Sequence, residues 1–178
     1  MNFIDTLTSR NANFAATAFN AGLKIIPSQR TLILSCIDPR VDPLDIFQLE
    51  PGEAAIIRNV GGRVNPALLE TMYILRTVSK VGGDPIGNGW NFVVLHHTKC
   101  GINGCYHHAP ALLADFMGVK QGEQLDALAI TDPYAAVAID VATLKANPDF
   151  AGQLTVTGMV YDVDTGKIEI VVPAAAVG

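Results

Sequence analysis

The sequence predicts an α/β fold: a mainly parallel central β-sheet flanked by helices, with one helix ahead of the sheet and a hairpin at its end. Three observations carry this expectation. Short apolar runs alternate with longer segments of helical periodicity, the order that parallel strands joined by crossover helices require. The runs at residues 30–35, 53–57 and 91–95 are continuously apolar rather than alternating, as in strands covered on both faces. The chain's final two apolar runs, residues 154–161 and 167–172, are separated by a turn sequence instead of a helix.

Taken in order, residues 5–24 repeat apolar positions at helical spacing without Pro, so they form the N-terminal helix, and Pro27 closes the segment. The strands at 30–35 and 53–57 follow. Asn65 and Pro66 open a helix to residue 81, with Pro at the first helical position and Gly82-Gly83 beyond its end. After the strand at 91–95, Asp132-Pro133 opens a helix to about residue 146. Residues 154–161 and 167–172, joined by Asp162-Val163-Asp164-Thr165-Gly166, form the hairpin. Gly61-Gly62 and Gly82-Gly83 lack the spacing of phosphate-binding loops and are turns.

With 178 residues, 49% of them hydrophobic, the chain can bury one core of ordinary domain size, so residues 1–178 are expected to form a single domain. The net charge of −5 includes no Lys/Arg run that could follow a phosphate backbone, which argues against nucleic acid as a partner. Asp5 and Arg10 interrupt the apolar residues of the N-terminal segment, unlike a signal peptide or a membrane span. Three cysteines make a poor disulfide framework, so a reducing, cytoplasmic setting is expected, without a membrane partner.

Two of those cysteines carry the functional argument. Cys36 closes the first apolar run, and His97 and Cys100 close the third. In an open α/β sheet, reactive groups collect beyond the carboxyl ends of the strands, so the two segments converge on one crevice. Two thiols and an imidazole there have the composition of a three-ligand zinc site, one Zn²⁺ per chain, whose fourth position is left for water. Each residue also has a plainer reading: Cys36 as a small buried hydrophobe, His97 as a hydrogen-bonded core residue. Asp38 and Arg40 follow Cys36 at alternate positions, so Arg40 can hold the Asp38 carboxylate ionised and aimed at the water. Their plainer reading is a structural ion pair. Cys105, His107 and His108 offer an accessory metal site or simply decorate a helix, and His96 is expected to point away from the ion.

The Cys36-x-Asp38-x-Arg40 segment, the later His97-x-x-Cys100-Gly101, and the stretch from Leu49 through Arg58-Asn59 to Gly61-Gly62 together resemble the β-class carbonic anhydrase family. The resemblance covers about residues 30–105. It implies zinc on Cys36, His97 and Cys100, an Asp38–Arg40 catalytic dyad, a supporting role for Arg58 and Asn59, and a homodimer or dimer of dimers. The implied reaction is hydration of a small, linear, gaseous heterocumulene by a metal-activated water. CO2 hydration to bicarbonate and hydrolysis of carbonyl sulfide (COS) both fit, since the family includes relatives that hydrolyse COS or carbon disulfide. A member that keeps zinc without catalysis is the reading of a different class. Asp38 in the fourth metal position, as in the family's closed forms, is an alternative to its orienting role. Three departures count against CO2 turnover and favour a sulfur-containing substrate: Pro39 where a small residue is usual, Lys99 where short members often carry Asp, and Gln29, which does not align with the substrate-binding Gln of larger members.

Overall fold

The structure, a computed structural model, describes residues 2–150 and 153–176. In chain order its elements are α1 (Phe3–Thr17), β1 (Thr31–Cys36), α2 (Pro43–Ile46), β2 (Ala54–Asn59), α3 (Pro66–Val81), β3 (Trp90–His97), α4 (Ile102–His108), α5 (Pro110–Met117), α6 (Glu123–Asp126), α7 (Pro133–Ala146), β4 (Leu154–Tyr161) and β5 (Ile168–Ala176). The sheet order is β2-β1-β3-β4-β5, with all neighbours parallel except the β4–β5 hairpin. The α/β class, the N-terminal helix and the terminal hairpin are as the sequence predicts.

Local chemistry sets the helix boundaries. Asn65 accepts from the Leu68 amide ahead of Pro66, and Asp132 accepts from the Tyr134 and Ala135 amides ahead of Pro133. The Asn2 and Asp5 side chains form a reciprocal capping box on α1. α1 stops at Thr17, well short of the expected residue 24. Its last carbonyl bonds close on Phe14, and the Asn20 side chain then accepts from the Gly22 amide at 2.8 Å, a local turn that competes with further helix. The strands run further than their apolar cores suggest: β1 reaches Cys36, β2 takes in Arg58 and Asn59, and β3 extends to His97 in register with β4.

From β1 the chain crosses to β2 on one side and then, through α3, to β3 on the other. The carboxyl ends of β1 and β3 therefore flank the point where strand order reverses, the usual place for a crevice in such sheets. One face of the sheet, with Leu32, Leu34, Phe92, Val94 and Val156, packs under α3 and α7 through Leu68, Met72, Val137 and Val141. On the other face Ile33 and Leu95 pack with Val41, Phe47 and Tyr161. Among the described residues, no helix is long and apolar enough to cross a membrane.

A buried ionic cluster ties three segments together beneath the carboxyl edge. Arg63 and Asp140, each 1% exposed, form a two-pronged pair with bonds of 2.8 and 3.1 Å. Asp140 Oδ2 also accepts from the Val64 amide at 3.0 Å and lies 3.1 Å from His96 Nε2, and Arg63 Nη2 donates to the Leu128 carbonyl. Burial alone would raise the Asp140 pKa. The His96 hydrogen bond and the Arg63 charge outweigh it and hold the carboxyl below its ordinary range. Such a group adds stability at pH above the ordinary carboxylate value, and that stability is lost as pH falls through its lower folded value. Asp140→Asn is therefore expected to cost about 3–5 kcal/mol in urea unfolding at neutral pH by leaving Arg63 uncompensated, with a smaller cost in acid.

Candidate metal centre

Cys36 and His97 are the last residues of two adjacent parallel strands, so the sheet itself brings them side by side. The tight turn after β3 returns Cys100 to the same point. Its sulfur stands 3.8 Å from that of Cys36, and the three candidate donor atoms all lie within 4.8 Å of one another. His97 Nδ1 is 2.9 Å from the Thr98 carbonyl, which only an N–H can satisfy, so the free lone pair belongs to Nε2. Nε2 is buried and has no hydrogen-bond partner among the described residues. That orphaned atom beside two sulfurs fits a metal ion: tetrahedral zinc with Zn–S bonds of about 2.3 Å places its sulfurs about 3.8 Å apart.

The backbone around Cys36 is shaped for a thiolate. The Asp38 amide donates to its sulfur at 3.4 Å and the Gly61 amide at 3.3 Å. Gly61 and Gly62 both have positive φ, and a Cβ on Gly62 would sit 3.0 Å from the Cys36 amide nitrogen and 3.1 Å from the Leu95 carbonyl oxygen. This glycine pair is the turn the sequence marks, with the added task of carrying the amide to the sulfur. The Cys36 thiol is pulled down to about 4, first by the hydrogen bond from Cys100, with His97 and the two amides adding to it against burial. The same contact and burial push Cys100 well above the ordinary thiol range.

Asp38 is held by Arg40 through a two-pronged fork: Nε to Oδ1 at 3.0 Å and Nη2 to Oδ2 at 2.7 Å, with the Arg40 amide also donating to Oδ1. That contact draws its carboxyl down to about 2. Asp38 Oδ2 stands 4.0 Å from His97 Nε2. Pro39 fits without cost. Val41 donates to the Asp38 carbonyl, closing a turn with Pro39 at its second position, where Pro is favoured, and the amides in use belong to Asp38, Arg40 and Val41. Lys99 has φ of 53°, and its ammonium reaches Asp164 in the hairpin turn at 2.6 Å while its carbonyl accepts from Arg40 at 3.1 Å. The charge reversal at this position is thus matched by Asp164. Arg58 binds the Cys36 and Asp38 carbonyls and the Asp42 carboxylate, stitching down the loop, and Asn59 braces the glycine turn through Arg63.

Other sequence candidates lie elsewhere. Cys105, His107 and His108 sit on α4, and the structure does not gather them into a group with metal-binding reach. His96 turns away from the cluster to Asp140. Gln29 lies beyond the amino end of β1, seven residues or about 23 Å of strand from Cys36. It lines a broad cavity of about 670 Å³ at the wrong end of the sheet for chemistry at Cys36. Sequence reading missed the Arg63–Asp140 pair and Thr98, whose hydroxyl donates to Asp162 and accepts from the Val163 amide, tying the ligand turn to the hairpin. A lone Asp in the apolar run Ala135–Val141 of α7 was the available signal for the first.

Fold and cluster together define a class: a parallel α/β protein with a thiolate–imidazole cluster, suited to a metal ion, at its topological switch point. The profile of the carbonic anhydrase family matches residues 31–168, and the chain belongs to that family, in its β class. It is similar to the crystal structure of a carbonic anhydrase from Streptococcus mutans, with 31% identity, a TM-score of 0.72, and coverage of 96% of this chain and 98% of that one. It is 26% identical over 174 residues to beta-carbonic anhydrase 1 of Mycobacterium tuberculosis, covering 97% of this chain and all of that one. A carbon disulfide hydrolase shares the fold at 21% identity and a TM-score of 0.57, covering 94% of this chain and 89% of the other.

With Cys36 drawn down and Cys100 pushed up, loading the cluster with Zn²⁺ at pH 7 is expected to release about one proton. Calorimetric titration in buffers of different ionisation enthalpy measures this number. Release near zero or near two would contradict the opposite shifts of the two thiols.

Proposed function

We propose that the chain is a zinc-dependent carbonic anhydrase that hydrates CO2 to bicarbonate, with zinc on Cys36, His97 and Cys100 and with Asp38 and Arg40 as its catalytic pair. Zinc held by three protein groups supplies a water acidified toward neutrality and a Lewis acid for the developing charge. This chain's residues do the rest. The single observation that carries the reading is the Arg40-forked Asp38 carboxylate standing beside the orphaned His97 Nε2.

Asp38 is the wrong base for pH 7. A group drawn down to about 2 holds no proton there, whereas an effective general base sits near the working pH. Its task is orientation: it accepts a hydrogen bond from the attacking water and so aims the remaining lone pair at the electrophilic carbon. Arg40 keeps the acceptor from rotating, and the Lys99 carbonyl keeps Arg40 in place. The overall change balances as CO2 and water giving bicarbonate and one proton, so no redox partner is needed. Two of the departures that favoured a sulfur substrate, Pro39 and Lys99, are absorbed by local contacts that leave this arrangement intact.

We infer that the working unit is a homodimer. α1 spans 15 residues without burying one, and it exposes Phe3, Ile4, Leu7 and Phe14. An isolated helix of that length is marginal in water and an apolar face of that kind marks an interface.

Asp38→Ala is expected to keep its zinc and lose on the order of 10²-fold or more in kcat/KM for CO2, and Arg40→Lys to lose nearly as much because a lysine cannot fork the carboxylate. Stopped-flow hydration assays beside metal analysis test this, and unchanged turnover in Asp38→Ala would refute the orienting role. Parallel assays on COS decide the substrate. Sulfide release outpacing bicarbonate formation would make the chain a COS hydrolase, and zinc without turnover of either gas would make it a binding module. Deleting residues 1–19 should convert the dimer to a monomer by light scattering, and a full-length chain that is already monomeric would contradict the dimer.

A further inference from the structure

A second, much smaller cavity adjoins the candidate metal cluster. It is about 10 Å³, room for a single water, and is lined by Gly61, Arg63, His96, His97, Cys100 and Ile102, among others. Arg63 is the reason it matters. Its Nε and Nη2 are spent on Asp140 and the Leu128 carbonyl, but Nη1 is buried without a partner among the described residues. A guanidinium presents five N–H donors, and leaving buried ones unmet is costly, so an acceptor is called for where the cavity lies. Cys100 has the complementary need. Cys36 draws two backbone amides at 3.3–3.4 Å, whereas Cys100 has the amide of Ile102 and the Cys36 sulfur.

A buried Arg–Asp pair is also a poor device for stability alone, because apolar residues of similar volume commonly do as well or better. Arg63 and Cys100 line the same small cavity, which points to another use.

We propose that this cavity is a binding site for one internal water, held by Arg63 Nη1 and donating to the Cys100 sulfur, so that Arg63 is a positioning residue for the cluster. A hydrogen bond to a thiolate withdraws electron density from it and fixes its direction, which is how outer groups tune a metal centre. The water stands on geometry alone; its influence on a bound metal rests on the zinc reading proposed above.

Two measurements test this separately. A high-resolution crystal structure, metal-free or metal-loaded, should show a water within about 3.2 Å of Arg63 Nη1 and facing the Cys100 sulfur. A dry cavity in both forms would overturn the site. The Co²⁺-substituted protein is then compared with Arg63→Lys, which keeps the charge opposite Asp140 but lacks the free nitrogen. The thiolate-to-cobalt charge-transfer band should shift in energy, and an unchanged spectrum would overturn the positioning role. If Arg63→Lys does not fold, the Arg63→Met/Asp140→Asn double variant, which leaves no uncompensated charge, takes its place under the same criterion. Failure of the wild type to bind Co²⁺ at all would sink the zinc reading and with it the positioning role, while leaving the water to be judged by the crystal structure.

Discussion

Two cysteine sulfurs 3.8 Å apart repel if both are ionised, and the protein around them is arranged to hold them there. Their contact draws Cys36 toward its anion and pushes the Cys100 thiol up. The amides of Asp38 and Gly61 favour that anion from the backbone, at fixed positions. A bound dication would allow both sulfurs to ionise at this separation. Gly62 follows from the same need: a side chain there would push the glycine turn off the Cys36 backbone and take the Gly61 amide away from the sulfur.

Rigid neighbours supply the rest. β1 and β3 are central strands, so their last residues can move little relative to each other. Arg58 pins the loop that carries Asp38, using carbonyls on both sides of it. The hairpin turn holds the other loop through Thr98 and Lys99, and the Lys99 carbonyl meets Arg40. Asp38 is therefore fixed from both loops at once, as an orienting acceptor needs to be. The network also explains how a lysine is tolerated beside two sulfurs: its charge is drawn outward onto Asp164, and its backbone alone serves the site.

Much of this was legible in the sequence because the relevant signals are local. Asn65-Pro66 and Asp132-Pro133 mark helix starts through side-chain caps, and the structure shows those caps. The cysteines and His97 could be grouped because strand ends in an α/β sheet share one edge. What escaped was non-local or half-polar. The ends of β1, β2 and β3 carry Cys, Arg, Asn and His, which apolar runs do not register, so β2 and β3 looked shorter than they are and β1 was placed one residue early. α1 looked longer because Asn20 turns the chain through its side chain, a competition that periodicity does not see. The Arg63–Asp140–His96 cluster joins residues 77 and 44 positions apart, and nothing in either segment announces its partner. Pro39 and Lys99 looked like obstacles to CO2 chemistry only while their neighbours, Val41 and Asp164, were out of view.

The most direct test of the central claim is X-ray absorption at the zinc K-edge of the metal-loaded protein. Two sulfur scatterers at about 2.3 Å and nitrogen or oxygen scatterers at about 2.0–2.1 Å are expected, with one imidazole among them. Cys100→Ser should remove one sulfur and Cys105→Ser none. A third sulfur in the shell, or a spectrum unaltered by Cys100→Ser, would contradict the assignment of Cys36, His97 and Cys100 as the groups that hold the metal.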